Sequence, residues 1–462
     1  MSLTGDIGKF LTSVHFEQLP GEAVALTRDA YTDTIGVIMA GVAEPVTGIV
    51  RDECNTTRGC GEARACLSRW TYSALDAALI SGTAAHALDY DDQALTGHPS
   101  AVLVSALLAE GEWLGSTGRE LATAYAAGYE VWAELVRRSS QYHAKGWHPT
   151  SVFGVVSAAA ASAVLQRLSA DRAVAALAIA ASHASGLAVN FGTMTKPYHV
   201  GMAARAGLLS THLAARGATA ATNALEHERG FLTAFAPDSS ADWHSPAELG
   251  RDWHLVHHRL CIKRYPTCYF MHRSFDAAVR MLAGRHLRPE QVDRVVVTMG
   301  RGQTAVLVNE RPQTGLQAKF SEHFAMAAAV VLGRMGIEEL SDAVVQRQDI
   351  QAFFPKVHLV AVDEYDARDP AHSPSERVVI HLSDGSTLDS GEITKVRGHA
   401  FDPLPTEELW EKFRECTAKT HSADAARLLF DRCQSIVALE STHDLPTAEH
   451  VFADLRPATA KI

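Results

Sequence analysis

Apolar residues over roughly the first 235 positions recur at three- and four-residue spacing, the signature of helices buried along one face. Ser73 opens one such run, in which Leu75, Ala78, Leu79 and Ala85 fall on a common stripe. Thr117 followed by Glu120 has the form of a capping box, and Leu121, Tyr125, Tyr129, Val131 and Leu135 carry the period onward. Gly115, Gly118 and Gly146 punctuate segment ends, and the abundant interior alanines allow helices to approach closely. Val152 to Leu165 and Ala173 to Phe191 are Ala-rich and apolar all round, so both are expected to be fully buried helices. Ser, His and Gly interrupt them, and neither supplies the ~20 continuous apolar residues of a membrane span.

The pattern then changes. Residues 236–252, with Pro237 and Pro246, read as a polar loop. Beyond about residue 262, helices alternate with the β-rich runs Val292 to Met299, Val357 to Val362 and Val378 to Leu382. Asp384-Gly385 is a hairpin-turn signal leading into Ser386 to Ile393. From Pro403 the period is helical again, over Glu407 to Thr420 and Ala425 to Leu439. These elements predict a mainly α fold: a large all-helical domain formed by both chain ends (residues 1–261 and 403–462) and a smaller α+β domain (residues 262–402).

Hydrophobic residues at 47% and charged residues at 21% of 462 place the chain among folded globular proteins. The net charge of −11, without a basic block, argues against a nucleic-acid partner and draws attention to individual lysines. Seven cysteines form no paired framework, and the six-residue spacing of Cys54, Cys60 and Cys66 matches no usual zinc pattern. Free thiols and a cytoplasmic compartment are expected. The start Met1-Ser-Leu-Thr-Gly-Asp shows no basic segment leading into an apolar run, so neither a secretory signal nor a membrane anchor is expected.

Four segments concentrate chemistry. His86-Ala-Leu-Asp89-Tyr-Asp91-Asp92-Gln93 with Gly97-His98-Pro99-Ser100 crowds three carboxylates that need a helix terminus or a cation to offset their repulsion. The residues alone also allow a solvated loop whose aspartates cap helices. A metal is not expected, because no second His or carboxylate stands at helical ligand spacing. Lys145-Gly-Trp147-His148-Pro149 places an imidazole near a helix N-terminus, where its neutral form is favoured. Asn190-Phe-Gly192-Thr193-Met-Thr195-Lys196-Pro197 reads as a lysine held in a constrained loop, suited to a carboxylate or a developing negative charge. Cys261-Ile-Lys263-Arg264-Tyr265-Pro266-Thr267-Cys268 falls at the change of composition, where it is either a charged linker or a cation pair lining a cleft. Two further patterns are set aside. Gly300-Arg-Gly302-Gln-Thr-Ala305 mimics a dinucleotide fingerprint but lacks a recognisable βαβ setting, and His254, His257 and His258 read as a partly exposed loop.

In order and content these segments, with Ala318-Lys-Phe-Ser321, resemble the MmgE/PrpD family from about residue 25 to residue 440. That group includes 2-methylcitrate dehydratase, cis-aconitate decarboxylase and iminodisuccinate epimerase. The resemblance implies a helical domain with a smaller α+β lid, a homodimer, no metal or organic cofactor, and a small di- or tricarboxylate substrate. It also implies cleft residues Asp89, His98, His148, Lys196 and Lys263, with Gln93, Arg264 and Cys268 beside the substrate. Gln93, Cys268 and Phe324 stand where the decarboxylases have Thr, His and Tyr, which weakens a decarboxylase-like reading. The resemblance leaves a methylcitrate dehydratase-like lyase first, an epimerase-like isomerase, whose branch Gly146 to Ser151 and Asn190 to Pro197 resemble, close behind, and a non-catalytic carboxylate-binding protein last. In the expected chemistry His98 and His148 exchange protons, Lys196 and Lys263 hold carboxylates and developing charge, and Asp89 orients or charge-stabilises one imidazole.

Overall fold

The computed structural model describes residues 2–139, 145–236, 241–285, 287–366 and 372–448. Two compact units account for them: Met1–Leu260 with Pro405–Ile462, and Cys261–Leu404. Residues 237–240 of the polar loop and 449–462 of the C-terminal segment lie outside the described residues.

The first unit is built on helices α1 (Leu3–Ser13), α2 (Gly21–Gly41), α3 (Pro45–Glu53), α4 (Ala74–Ala87), α5 (Pro99–Leu114), α6 (Gly118–Arg138), α7 (Pro149–Leu165), α8 (Ala170–Ala181) and α9 (Thr195–Ala215). A two-residue ladder, β1 (Ala63–Arg64) with β2 (Thr71–Tyr72), precedes α4. Local chemistry sets several boundaries. The Ser73 side chain accepts from the Asp76 amide at the start of α4, and Thr117 and Glu120 exchange both capping-box bonds at the start of α6. Gly115 closes α5 in the left-handed conformation at φ 67°.

Helix α7 is buried almost throughout, as its composition suggests. The expectation for Ala173 to Phe191 needs correction: α8 ends at Ala181, and residues 182–194 turn along the surface, with Leu187 and Val189 exposed. Alanine-rich hydropathy marks a packing surface here, while the run Ser182-His-Ala-Ser-Gly186 ends the helix.

Helices α4 and α9 touch backbone to backbone. A Cβ at Gly82 would come within 2.8 Å of the Gly201 Cα, and one at Gly201 within 2.3 Å of the Leu79 carbonyl oxygen. This contact draws the C-terminus of α4 toward the N-terminus of α9. Gly201→Ala is expected to force the pair apart, at about 1–3 kcal/mol of stability by the usual overpacking range, read as a lower melting temperature.

The C-terminal helices Thr406–Thr417 and Ala423–Gln434 pack on α2. Lys412 reaches Asp33 of α2 at 2.6 Å and donates to the Tyr90 carbonyl at 2.8 Å. The returning tail thereby braces the loop that follows α4.

The second unit carries a four-stranded sheet of order β4-β3-β5-β6, from β3 (Val292–Gly300), β4 (Val357–Val362), β5 (Arg377–Leu382) and β6 (Thr387–Asp389). Strands β5 and β6 form the hairpin signalled by Asp384-Gly385. Strands β3 and β4 are parallel, with Val297 opposite Leu359, so the glycine pattern after β3 does have a crossover setting that the sequence did not reveal. It still builds no nucleotide site. The Gly300 amide is taken by Gln303 Oε1 at 3.1 Å, and the helix that follows, Arg301–Thr304, is a single turn.

The histidines at 254, 257 and 258 are likewise not on a loop. They occupy the short helix His254–His258, whose buried His254 lies 3.9 Å from the Glu134 carboxylate. Among the described residues no single helix is long and apolar enough to cross a membrane; α2 and the segment after it pass that test only jointly, across an 87° bend.

Candidate active site

Three helix N-termini and one helix C-terminus meet in the first unit, and each delivers a polar side chain. His98 is the N-cap of α5 and His148 the N-cap of α7, each followed by proline at the first helical position. Lys196 lies in the first turn of α9, also followed by proline. It is therefore on a helix, not in the loop expected from its Gly, Thr and Pro neighbours; proline at a helix start has no hydrogen bond to lose.

The loop between α4 and α5 holds the aspartates. Asp89 leaves α4 in the left-handed region at φ 53°, which a short polar side chain tolerates better than most. Leu95 and Thr96 are also left-handed, at φ 50° and 65°, between two backbone bonds joining Ala94 and Gly97 at 2.9 and 3.1 Å. This strained turn sends the chain back so that His98 faces His86.

The solvated-loop alternative does not survive: Asp91 and Asp92 are fully buried and Asp89 nearly so. Lys196 Nζ pairs with Asp89 Oδ1 at 2.8 Å and lies 5.5 Å from the centre of the Phe191 ring. Both oxygens of Asp91 approach His86 Nδ1, at 2.9 and 3.0 Å, and Oδ2 is also 3.1 Å from His98 Nδ1. His98 Nδ1 lies 2.8 Å from the Asp92 carbonyl oxygen, and its Nε2 is 3.8 Å from Asp89 Oδ1. His86 is stacked on His148, with ring centres 5.6 Å apart, and meets His98 edge-on at 4.6 Å. His148 Nδ1 is 3.2 Å from His199 Nδ1.

Of the sequence-predicted residues, Asp89, His98, His148 and Lys196 are thus brought together, and half-buried Gln93 sits on the same loop. Lys263, Arg264 and Cys268 belong to the second unit, where Lys263 and Cys268 are buried and Arg264 is half-buried, so this stretch is not an exposed charged linker. Asp89 lies 3.8 Å from His98 Nε2 and also holds the lysine, while Asp91 faces the same imidazole from the Nδ1 side. His86 and His199 carried no expected role. His86 stood inside the densest polar cluster, and only the turn at Leu95 and Thr96 shows what it meets.

Electrostatics follow from burial. Burial pushes His86 down to about 4, against the pull of Asp91, and holds His148 well below the usual imidazole range, helped by His86 and Lys196. Both rings are neutral bases at neutral pH. Burial also disfavours charge on Asp91, but the His86 and His98 imidazoles outweigh it and keep that carboxyl well below the ordinary range.

Asp92 goes the other way. Burial, with Asp33 and Asp91 nearby, pushes it up to about 8, although the Ser100 hydroxyl bonds to it. The folded chain keeps this proton to about pH 8, whereas an unfolded aspartyl releases it near 3.9, so the group's contribution to stability falls as pH rises between those values. Asp92→Asn, a shape-conserving neutral replacement, is expected to stabilise the protein relative to wild type increasingly from pH 5 to pH 8 in paired thermal melts. A pH-independent difference would contradict a protonated Asp92.

His86, Asp89, Asp91 and His98 bring donor atoms within 4.8 Å of one another, a donor set of the kind that holds zinc. The ligand-spacing argument therefore missed a grouping made by tertiary structure. Here these atoms engage one another, and the positive charge facing Asp89 is the Lys196 ammonium. What the arrangement offers chemically is neutral imidazoles beside a buried cation, able to move a proton at a carbon whose negative charge needs a fixed partner.

Comparison with known proteins identifies the family. The family model for the MmgE/PrpD N-terminal domain matches residues 5–244, and that for the MmgE/PrpD C-terminal domain matches residues 265–436. The chain is 30% identical to the cis-aconitate decarboxylase of Homo sapiens, over 80% of this chain and 78% of that protein. It is 27% identical to the cis-aconitate decarboxylase of Aspergillus terreus over 71% and 70%, and 23% identical to a cis-aconitate decarboxylase-like protein of Aspergillus oryzae over 96% of each. With both halves matched in order, this chain belongs to the MmgE/PrpD family.

Proposed function

We propose that the protein is a lyase that breaks a bond next to a carboxylate of a small tricarboxylate, and that its reaction is loss of water from a methylcitrate-like hydroxy acid. The observation that carries this reading is the meeting of His98 and His148, through His86, beside the buried Lys196–Asp89 pair. His98 Nε2 takes the proton next to the carboxylate and, as the imidazolium so formed, passes it to the departing hydroxyl, which leaves as water, while the neutral His148 ring hydrogen-bonds that hydroxyl. Lys196 stabilises the negative charge that builds between the two steps. Exclusion of water strengthens each of these electrostatic contributions.

A second reading, loss of CO2 from an unsaturated tricarboxylate, is supported by the names of the relatives, all cis-aconitate decarboxylases or like them. Gln93, Cys268 and Phe324, in place of the Thr, His and Tyr that the resemblance puts in the decarboxylases, count against it. Proton NMR in D2O with citrate, methylcitrate and cis-aconitate separates the outcomes. A new C=C bond from a hydroxy acid, seen as a vinylic proton from citrate or as collapse of the methyl doublet to a singlet from methylcitrate, marks dehydration, and loss of a carboxyl carbon marks decarboxylation. Exchange of a C–H for deuterium without loss of mass marks an isomerase and overturns the lyase reading, as does inertness toward the whole panel.

A further inference from the structure

Asp91 is fully buried and makes no contact that any step above requires, yet it faces two imidazoles at once. The neighbours of each ring decide where its proton sits. His98 Nδ1 faces the Asp91 carboxylate at 3.1 Å and the Asp92 carbonyl oxygen at 2.8 Å. A carbonyl oxygen only accepts, and so does an ionised carboxylate, so the hydrogen must be on Nδ1. The lone pair of neutral His98 then lies on Nε2, the nitrogen on the Asp89 side. The same reasoning applies to His86, whose Nδ1 meets both oxygens of Asp91 at 2.9 and 3.0 Å.

The ring of His86, fixed in this way, lies against both proposed catalytic imidazoles, edge-on to His98 at 4.6 Å and stacked on His148 at 5.6 Å between ring centres. A freely rotating His98 would spend part of its time with its basic nitrogen turned away from the substrate. Two acceptors on Nδ1 prevent that.

We propose that Asp91 and His86 form a positioning pair for this centre: the Asp91 carboxylate sets the tautomer of two imidazoles at once, and the His86 ring packs against both His98 and His148. Neither residue touches the reacting atoms. The inference rests on the proposed roles of His98 and His148 for its functional meaning, but the tautomer itself does not depend on any activity.

The test therefore has two arms. In the first, long-range 1H–15N spectra of the full-length protein with 15N-labelled histidine are recorded at neutral pH, with signals assigned through single His→Asn variants. His86 and His98 are both expected to carry hydrogen on Nδ1. A proton on Nε2 of His98 overturns the proposal, whatever the enzyme catalyses.

The second arm is Asp91→Asn. An amide oxygen at the Oδ2 position still faces both Nδ1 atoms but carries no charge to hold their hydrogens, and the NH2 at the Oδ1 position turns a competing donor toward His86 Nδ1. A new Nε2–H fraction is expected on at least one of the two rings, and kcat on the substrate identified above is expected to fall at least ~100-fold with KM changed less than about threefold, as for a mis-set catalytic imidazole. A kcat within threefold of wild type overturns the proposal, as does a fall in kcat with both rings still wholly protonated on Nδ1. Should the variant fail to fold, the wild-type spectra still decide it. If instead His98→Ala leaves turnover intact while the spectra show both Nδ1 protons, the reading of the reaction fails and the tautomer assignment stands.

Discussion

Turnover by His98→Ala is expected to be at least ~100-fold below wild type, with a melting temperature within a few degrees of it. The lower bound is the usual contribution of a positioned general base. The fold should tolerate the change because the ring lies at an N-cap, with its side chain 12% exposed, and is not packed inside a helix. Asp91, which loses one imidazole, keeps both of its contacts with His86. Addition of free imidazole, which fits the space vacated by the ring, is expected to restore part of the rate. The measurements are single-substrate turnover and a thermal melt on the same preparation. A rate within tenfold of wild type would remove His98 from the centre.

The second large effect is at Lys196 and concerns stability as well as rate. Its ammonium and the Asp89 carboxylate are 2.8 Å apart, with side chains 7% and 6% exposed. Lys196→Ala removes the cation and leaves a buried carboxylate without it, a change that typically costs about 3–5 kcal/mol. Asp89 cannot easily swing toward solvent, because its backbone is committed to the left-handed turn after α4. Lowered stability and loss of turnover by at least ~100-fold are both expected.

The two effects can be separated. Lys196→Met with Asp89→Asn replaces the ion pair by neutral groups of similar size, which often restores stability to near its original value. The double variant is expected to melt close to wild type and to remain as inactive as Lys196→Ala. Recovery of activity along with stability would mean that the lysine serves the fold and has no part in the chemistry.

How far the chain announced itself depended on the range of the interaction concerned. The caps at Ser73 and at Thr117 with Glu120 were legible because each is made within four residues. Strand β4 and the β5–β6 hairpin were legible for the same reason: apolar runs bounded by a turn dipeptide need no distant partner to be recognised. The segments around His98, His148 and Lys196 stand out because unusual polar residues beside proline mark helix starts, although at Lys196 the same pattern reads equally as a constrained loop. Short-range steric rules do not separate those two cases, since proline is equally at home in either.

What only tertiary structure decided is depth and encounter. Hydropathy alone did not tell that α8 stops at Ala181 and that Leu187 and Val189 are exposed beyond it. Nor could spacing show that Leu95 and Thr96 reverse the chain and lay His98 against His86, or that Gly82 and Gly201 let α9 bring Lys196 to Asp89. Charge states belong to the same class. Asp91 and Asp92 are adjacent in sequence, yet one is held ionised by two imidazoles and the other pushed up to about 8 by burial. By itself the sequence determined which groups were available and which local turns they would make. The free energy of a buried charge is set by what surrounds it within a few ångströms, and those surroundings come from residues tens to hundreds of positions away.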